Sequence, residues 1–392
     1  MPVMLGRWPV IETHAVDPVV VAVASSLPEP CWSTGELLAA AGRRFSPQLV
    51  TMLGSLGIER RHSVLSNYPH VLFEDAAPRL DIKASALAAQ AASECLEKSG
   101  ARPEQIGLVL GVTTSPGRLL PSLACDLFAL LPWVPRDAAS LSITYMGCSA
   151  IAKVAETARW YLTCHPGRLV LACFMEAITP LAPVLPGRYA HFTEVPAQLQ
   201  QQTVNAVTGF LFADASVAML LAAAGPGPVL GPVTQLTNER ADDAELGTVP
   251  DGGSDVPVVH GRRLYTMRPE VGPRGAFYAR ATVDALLAGS KCALPAAGEA
   301  AFLLLHTGSA RILDSLCDQF GVPRDSEPVA SSYRVLRHYG NTGGCSVPLM
   351  LADPVRRSAG EGLIVAFGLS FSSGALTVTI PPGGWHPDQP GT

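Results

Sequence analysis

Charge is scarce in this chain. Of 392 residues, 28 are basic and 33 acidic, so charged side chains make up 16%, against roughly 25% in ordinary globular proteins. A net charge of −5 with no basic stripe excludes the electrostatic footprint that a nucleic-acid backbone demands. The first ten residues, MPVMLGRWPV, lack the apolar core of a secretion signal. The uncharged stretch Leu363 to Trp385 contains glycines, serines and two prolines and alternates like a hairpin, so it is a poor membrane-spanning helix. The nine cysteines are an odd number and no C-x-x-C occurs. They read as reduced thiols of a cytoplasmic protein, most of them small buried hydrophobes. With no H-x-x-x-H and no G-x-G-x-x-G after a strand, neither a metal nor a bound dinucleotide is expected. What is plentiful is apolar surface. A 48% apolar share excludes disorder and predicts extensive burial, a subunit interface included, in one to three domains.

The sequence repeats itself. Shifted by about 193 residues, Leu108 to Leu123 falls on Ala301 to Leu316, with Arg118 on Arg311 and Ser122-Leu123 on Ser315-Leu316. Further along, Gly147 meets Gly340 and Val170 to Phe174 meets Leu363 to Phe367, which predicts one ungapped offset. Leu108 to Val112 reads as a strand buried on both faces. Leu119 to Leu131 reads as a helix. Leu141, Ile143 and Tyr145 alternate as in a strand, and Ile151, Val154, Ala155, Ala158 and Leu162 share one helical face. Upstream, Ala84 to Lys98 is an alanine-rich helix closed by Gly100. Each half thus runs helix, strand, helix, strand, helix, strand. This predicts an α/β fold of two duplicated βαβαβ halves on mostly parallel sheet, a five-layer αβαβα sandwich with pseudo-twofold symmetry. The halves are placed at 18–225 and 226–381, with terminal extensions 1–17 and 382–392. The first half carries about 34 extra residues at 178–209, which either cover a cavity, reach a partner subunit or form a surface loop.

Where two repeats differ, one of them does chemistry. In this alignment Cys148 falls on Asn341 and Thr113 on His306. A pseudo-twofold axis would gather the Cys, His and Asn at one centre. Cys148 follows a strand, stands behind Gly147 and opens a helix, whose N-terminus lowers a thiol pKa. His306 ends the apolar run Ala301 to Leu305, and Asn341 lies in a Tyr339-Gly-Asn-Thr-Gly-Gly turn. Cys345 and His338 are the rival thiol and imidazole, and Asn341 as a helix cap is the bland alternative.

These segments resemble the thiolase superfamily, specifically ketoacyl-carrier-protein synthase III and the type III polyketide synthases. Gly147-Cys148-Ser-Ala is similar to their G-C-x-A turn, His306-Thr-Gly-Ser-Ala-Arg-Ile-Leu to H-P-G-G-x-x-I-L, and Tyr339-Gly-Asn341-Thr to Y-G-N-M/T. Phe212-Ala-Asp214 resembles L-F-G-D-G, and Gly57-Ile-Glu-Arg60-Arg61 resembles G-I-x-x-R. The resemblance implies a thiolase fold and an acyltransferase. In it Cys148 takes an acyl group from a thioester, and His306 and Asn341 stabilise the enolate of a second thioester for carbon–carbon bond formation. It also implies a homodimer and substrates carried on phosphopantetheine, by CoA or an acyl carrier protein. The backbone N–H groups of Cys148 and Ser370 are candidates for the oxyanion hole, and Arg60 and Arg61 for the pantetheine phosphate. The C-terminal loop Phe367-Gly-Leu-Ser-Phe-Ser-Ser-Gly departs from the G-F-G-P-G of chalcone-type synthases. The closer likeness is to stand-alone ketosynthases of natural-product pathways, of the myxopyronin and corallopyronin kind, which join two carrier-bound β-ketoacyl chains into an α-pyrone. Decarboxylative extension with malonyl thioester is the alternative.

Two other readings compete. Papain-like hydrolases also run Cys, His, Asn, but the C-G-S-C-W segment is missing, and Met146-Gly-Cys-Ser-Ala lacks the glycines of a hydrolase elbow. A catalytically dead ketosynthase partner would have lost the thiol, which is present.

Overall fold

The computed structural model describes residues 15–256, 261, 262, 264–368 and 371–388. Among them, nine strands form one continuous sheet: β1 (Val19–Ser26), β2 (Ile106–Thr113), β3 (Ala139–Thr144), β4 (Leu169–Glu176), β5 (Ala215–Ala222), β6 (Val229–Thr237), β7 (Leu303–Leu305), β8 (Gly360–Gly368) and β9 (Ser372–Ile380). Their order is β7-β8-β9-β6-β1-β5-β4-β2-β3. β1 and β6 meet only at Val19 opposite Val229, a seam between a five-strand and a four-strand group. β2, β4 and β5 are buried along their whole length. Apolar runs of this kind require cover on both faces, and eight helices supply most of it.

These are α1 (Ala84–Ser99), α2 (Leu123–Leu130), α3 (Ala150–Cys164), α4 (Gln200–Leu211), α5 (Val271–Leu287), α6 (Ala310–Phe320), α7 (Ala330–Tyr339) and α8 (Ser346–Ala352). α1 packs on β1, β5 and β4; α5 packs on β9, β6 and β8. α3 touches β4 of one group and β9 and β6 of the other, and α8 bridges β1, β5 and β7. The layers are therefore helix, sheet, helix, sheet, helix, as the sequence predicts. α3 can be sandwiched because Ala152, Ala155 and Ala158 thin it, and Gly374 of β9 faces the Ala152 methyl. α1 buries Leu87, Ala88, Ala91, Ala92 and Cys95 and ends on Gly100 in the left-handed conformation.

Three expectations are corrected. The sheet is mixed rather than mostly parallel. β2 pairs in parallel with β3 and β4, and β7 with β8, whereas β1–β5, β4–β5, β8–β9 and β6–β9 are antiparallel. The connection from β8 to β9 is too short for a crossover, so these strands form the hairpin that the alternation of Leu363 to Trp385 suggests. The strand expected before Asn341 is the helix α7, whose buried Ser332, Val335 and Leu336 recur at helical spacing. The repeat also contains gaps. Thr113 ends β2 and His306 directly follows β7, 193 apart, but the turns Gly147–Ser149 and Gly343–Cys345 match at a shift of 196. Gly147 (φ 52°) is thus the counterpart of Gly343 (φ 54°), and Cys148 that of Gly344 rather than of Asn341. The 225/226 division falls in the turn between β5 and β6.

Candidate active site

Cys148 is held by a turn with little freedom. After β3, Tyr145 (φ 61°) and Gly147 (φ 52°) take left-handed conformations, and a 3-10 turn leads into α3. The Gly147 N–H donates to Thr114 Oγ1 at 2.9 Å. Behind the turn, Ser149 Oγ donates to Met146 O at 2.8 Å and lies 2.6 Å from Ser372 Oγ. Cys148 is 5% exposed. Here the structure reverses an expectation: the helix start is in place, but burial, with the nearby Glu176 adding to it, raises the thiol pKa well above its ordinary value. Desolvation of the thiolate outweighs the helix end.

His306 continues β7, its N–H donating to Val365 O at 2.9 Å. The imidazole packs edge-on against Phe367, centroids 4.7 Å apart, and its Nδ1 is buried without a partner. Burial alone lowers its pKa to about 3, so the ring is neutral. Asn341 follows Gly340 (φ 73°) at the end of α7. Its backbone is clamped on both sides, N–H to Leu211 O at 3.1 Å and O from the Ala213 N–H at 3.0 Å. Its Oδ1 accepts from the Gly343 N–H at 3.1 Å, and Nδ2 has no partner among the described residues.

The structure brings all three side chains onto one cavity of about 280 Å³. Ile178, Phe192, Val204, Val207, Leu211 and Phe212 form one wall, so the 178–209 insert covers the cavity rather than lying free on the surface. Tyr265, Met267, Phe367 and Phe371 form another, and Arg268 and Arg311 stand exposed at its rim. Cys345 is buried, its thiol facing Ala215 O at 3.3 Å, and His338 is exposed; neither lines the cavity.

The arginine expectation fails geometrically. Arg60 and Arg61 lie on a short strand, Arg60–His62, and neither borders the cavity. Arg61 is fully buried, its Nη2 donating to Thr34 Oγ1 at 2.7 Å over the Phe210 ring. The G-I-x-x-R spacing carries an arginine into the core, which the sequence does not distinguish from an exposed one. Ser370 lies outside the described residues.

Sequence reasoning missed Glu176. This carboxylate is buried at the end of β4 and accepts from the Thr114 N–H (3.0 and 3.2 Å), Ser115 Oγ (2.6 Å) and the Gly344 N–H (3.2 Å). It ties the Thr114 turn, which holds Gly147, to the glycine turn that holds Asn341. Burial raises its pKa to about 7 against these hydrogen bonds. A second buried carboxylate, Asp214, accepts from Val64 (2.8 Å), Ile178 (2.6 Å) and Thr179 (2.8 Å) N–H groups and anchors the start of the insert. The one available signal for Glu176 is an acidic residue closing the apolar run Leu169 to Met175. Among the described residues no His, Cys, Asp and Glu cluster could hold a metal ion, and no helix is long and apolar enough to cross a membrane.

Comparison with known proteins agrees with this architecture. Residues 296–380 match the family described as 3-oxoacyl-[acyl-carrier-protein] synthase III C terminal. The chain is 23% identical over 317 residues to the beta-ketoacyl-[acyl-carrier-protein] synthase III of Streptococcus sanguinis, covering 76% of this chain and 86% of the relative. It is 27% identical over 303 residues to that of Nitratidesulfovibrio vulgaris, covering 74% and 82%. Among solved structures, the synthase III of Pseudomonas aeruginosa superposes with a TM-score of 0.71 at 20% identity, over 93% of this chain and 98% of that one. The C-terminal type III polyketide synthase domain of Steely1 from Dictyostelium gives 0.72 at 18%, over 93% and 99%. A duplicated α/β sandwich, a cysteine, a histidine and an asparagine on one cavity and these likenesses converge: the chain has the fold of ketoacyl-carrier-protein synthase III and the type III polyketide synthases, and it is an acyltransferase-type condensing enzyme similar to them.

Proposed function

We propose that the protein makes carbon–carbon bonds between two acyl thioesters through an acyl group held on Cys148. The observation that carries this is the shared cavity: thiol, neutral imidazole and carboxamide all face one apolar space. Neutral His306 takes the thiol proton as the sulfur attacks the first thioester and passes it to the departing carrier sulfur, which leaves as a thiol. Burial disfavours a free thiolate, so transfer to an adjacent base within the attack suits this site. His306 and Asn341 Nδ2 then donate to the thioester oxygen of the second substrate as its enolate forms, each such donor being worth about 10²–10³ in rate. The enolate carbon attacks the Cys148 thioester, with the Cys148 N–H on the developing oxyanion, and the β-keto product departs as sulfur is expelled.

In the finer reading, both substrates are β-ketoacyl chains on carrier protein or CoA, and the joined product closes to an α-pyrone in a natural-product pathway. The α-proton of a β-ketoacyl thioester lies between two carbonyl groups, so its loss to water gives an enolate more readily than from a saturated thioester, and the Cys148 sulfur takes up a proton when the product is released. A second reading, decarboxylation of malonyl thioester, is favoured by the cavity wall. Among the described lining residues there is no Asp or Glu to serve as a base, and loss of CO₂ generates the enolate without one. Arg268 and Arg311, exposed at the rim, suit the pantetheine phosphate better than Arg60 or Arg61.

Residues 18–225 and 226–381 act as two half-units that meet at the cavity. The enzyme works as a cytoplasmic homodimer. Among the described residues β3 is an edge strand with no strand on its outer side, and Leu141, Tyr145 and, on α3 nearby, Trp160 are exposed, a face suited to a second copy. The test is incubation with two β-ketoacyl thioesters, or with one plus malonyl thioester, followed by intact-protein mass spectrometry and CO₂ measurement. The joining reading expects an adduct on Cys148 and a pyrone without CO₂. Turnover only with malonyl thioester supports the second reading, and no adduct, or one found equally in Cys148→Ala, defeats both.

A further inference from the structure

Three neutral side-chain donors open on the cavity with no hydrogen-bond partner among the described residues: the His306 imidazole, Asn341 Nδ2 and the Tyr265 phenol. Condensation accounts for the first two. Tyr265 is left over. It is 4% exposed, its ring tilts on Phe212 with centroids 5.9 Å apart, and its N–H is used by Leu181 O at 2.8 Å. Among the described residues nothing accepts from or donates to its hydroxyl, and the Phe212 ring beside it is apolar.

A buried hydroxyl that stays unpaired when substrate expels water costs about 1–3 kcal/mol. A saturated acyl chain would impose that cost. A chain with an oxygen near the thioester would remove it. Resting on the Cys148 reading, we propose that Tyr265 is a specificity residue that donates a hydrogen bond to the 3-oxo oxygen of the acyl chain on Cys148, so that the cavity selects β-ketoacyl over saturated thioesters. Burial, with Glu176 and Cys148 adding to it, keeps the phenol protonated well above its ordinary range, as a donor must be. Sites built to hydrogen-bond a substrate group discriminate strongly against analogues lacking it.

The experiment measures Cys148 acylation rates by intact-protein mass spectrometry, with 3-oxooctanoyl and octanoyl N-acetylcysteamine thioesters. The wild type should prefer the 3-oxo chain by at least about tenfold. Tyr265→Phe should narrow that ratio to within about twofold, partly through a faster octanoyl reaction because the hydroxyl left unpaired is gone, with an unchanged thermal unfolding midpoint showing an intact fold. Equal rates in the wild type, or a preference that survives in Tyr265→Phe, overturns the role of Tyr265 while leaving Cys148 as nucleophile. No adduct from either thioester overturns the Cys148 reading and the selection with it.

Discussion

Gly368 lies against the backbone of Cys148 so closely that a Cβ at position 368 would stand 2.5 Å from the Cys148 nitrogen and 2.7 Å from the Gly147 Cα. The last residue of β8 therefore backs the turn that presents the thiol, and no flexible side-chain end is there to move aside.

Gly368→Ala should accordingly displace the Cys148 turn. Overpacking of this kind costs about 1–3 kcal/mol. Thermal unfolding should show that loss, and Cys148 alkylation by iodoacetamide should change relative to wild type. An unchanged unfolding midpoint together with unchanged labelling would refute the close approach.

Glu176 offers a graded test of how the site is held. Glu176→Ala leaves two N–H groups and one hydroxyl without their acceptor, at about 1–3 kcal/mol for each group that stays buried and unpaired. Glu176→Gln keeps one acceptor oxygen but turns an amide N–H₂ toward donors, so its loss should be smaller. Urea denaturation should order the proteins wild type, Gln, Ala, and Cys148 acylation rates should follow the same order. Full acylation in Glu176→Ala would show that the two turns hold themselves.

Much of this was legible in the sequence, for reasons that can be named. Strands buried on both faces announce themselves as unbroken apolar runs, as at Ile106 to Val112 and Leu169 to Met175. The sandwiched helix shows as alanines at 152, 155 and 158. Cys148 stands out because it follows Gly147 between an alternating strand and a helical face, and His306 because it ends the apolar run Ala301 to Leu305 just before a glycine-containing turn. The alignment that points to Asn341 is three residues out of step with the folded chain, yet the glycine turn that marks it is real. Glu176, Tyr265 and Gly368 were not legible, because their meaning lies in what approaches them across the fold. Arg61 shows the reverse: nothing in its neighbours reveals that Phe210 and Thr34 will bury it.

The insert wall should set the length of the acyl chain. Val204 is buried on α4 and faces the cavity. Val204→Phe puts a ring into that space. Acylation by a ten-carbon thioester should fall more than about tenfold while a four-carbon thioester is little affected. Equal loss for both would place the chain elsewhere.

His306 provides a pH signature. Its folded pKa of about 3 lies below its ordinary 6.5, so between those values the unfolded chain binds a proton that the folded one refuses, and stability rises with pH across that window. At pH 5 the penalty is about 2 kcal/mol. Glu176, raised from 4.5 to about 7, and Asp214, raised from 3.8 to about 6, act in the opposite sense, since their folded forms hold protons longer, and they partly mask the histidine in the wild type. His306→Asn removes only the histidine contribution. Its stability relative to wild type should therefore climb on acidification from pH 7 to pH 5, as followed by denaturant midpoints. A pH-independent difference would mean that the imidazole titrates normally and is charged in mild acid. Catalysis carries the same mark: acylation rates should cross pH 6.5 with no inflection from this ring, because the imidazole is already neutral below that pH.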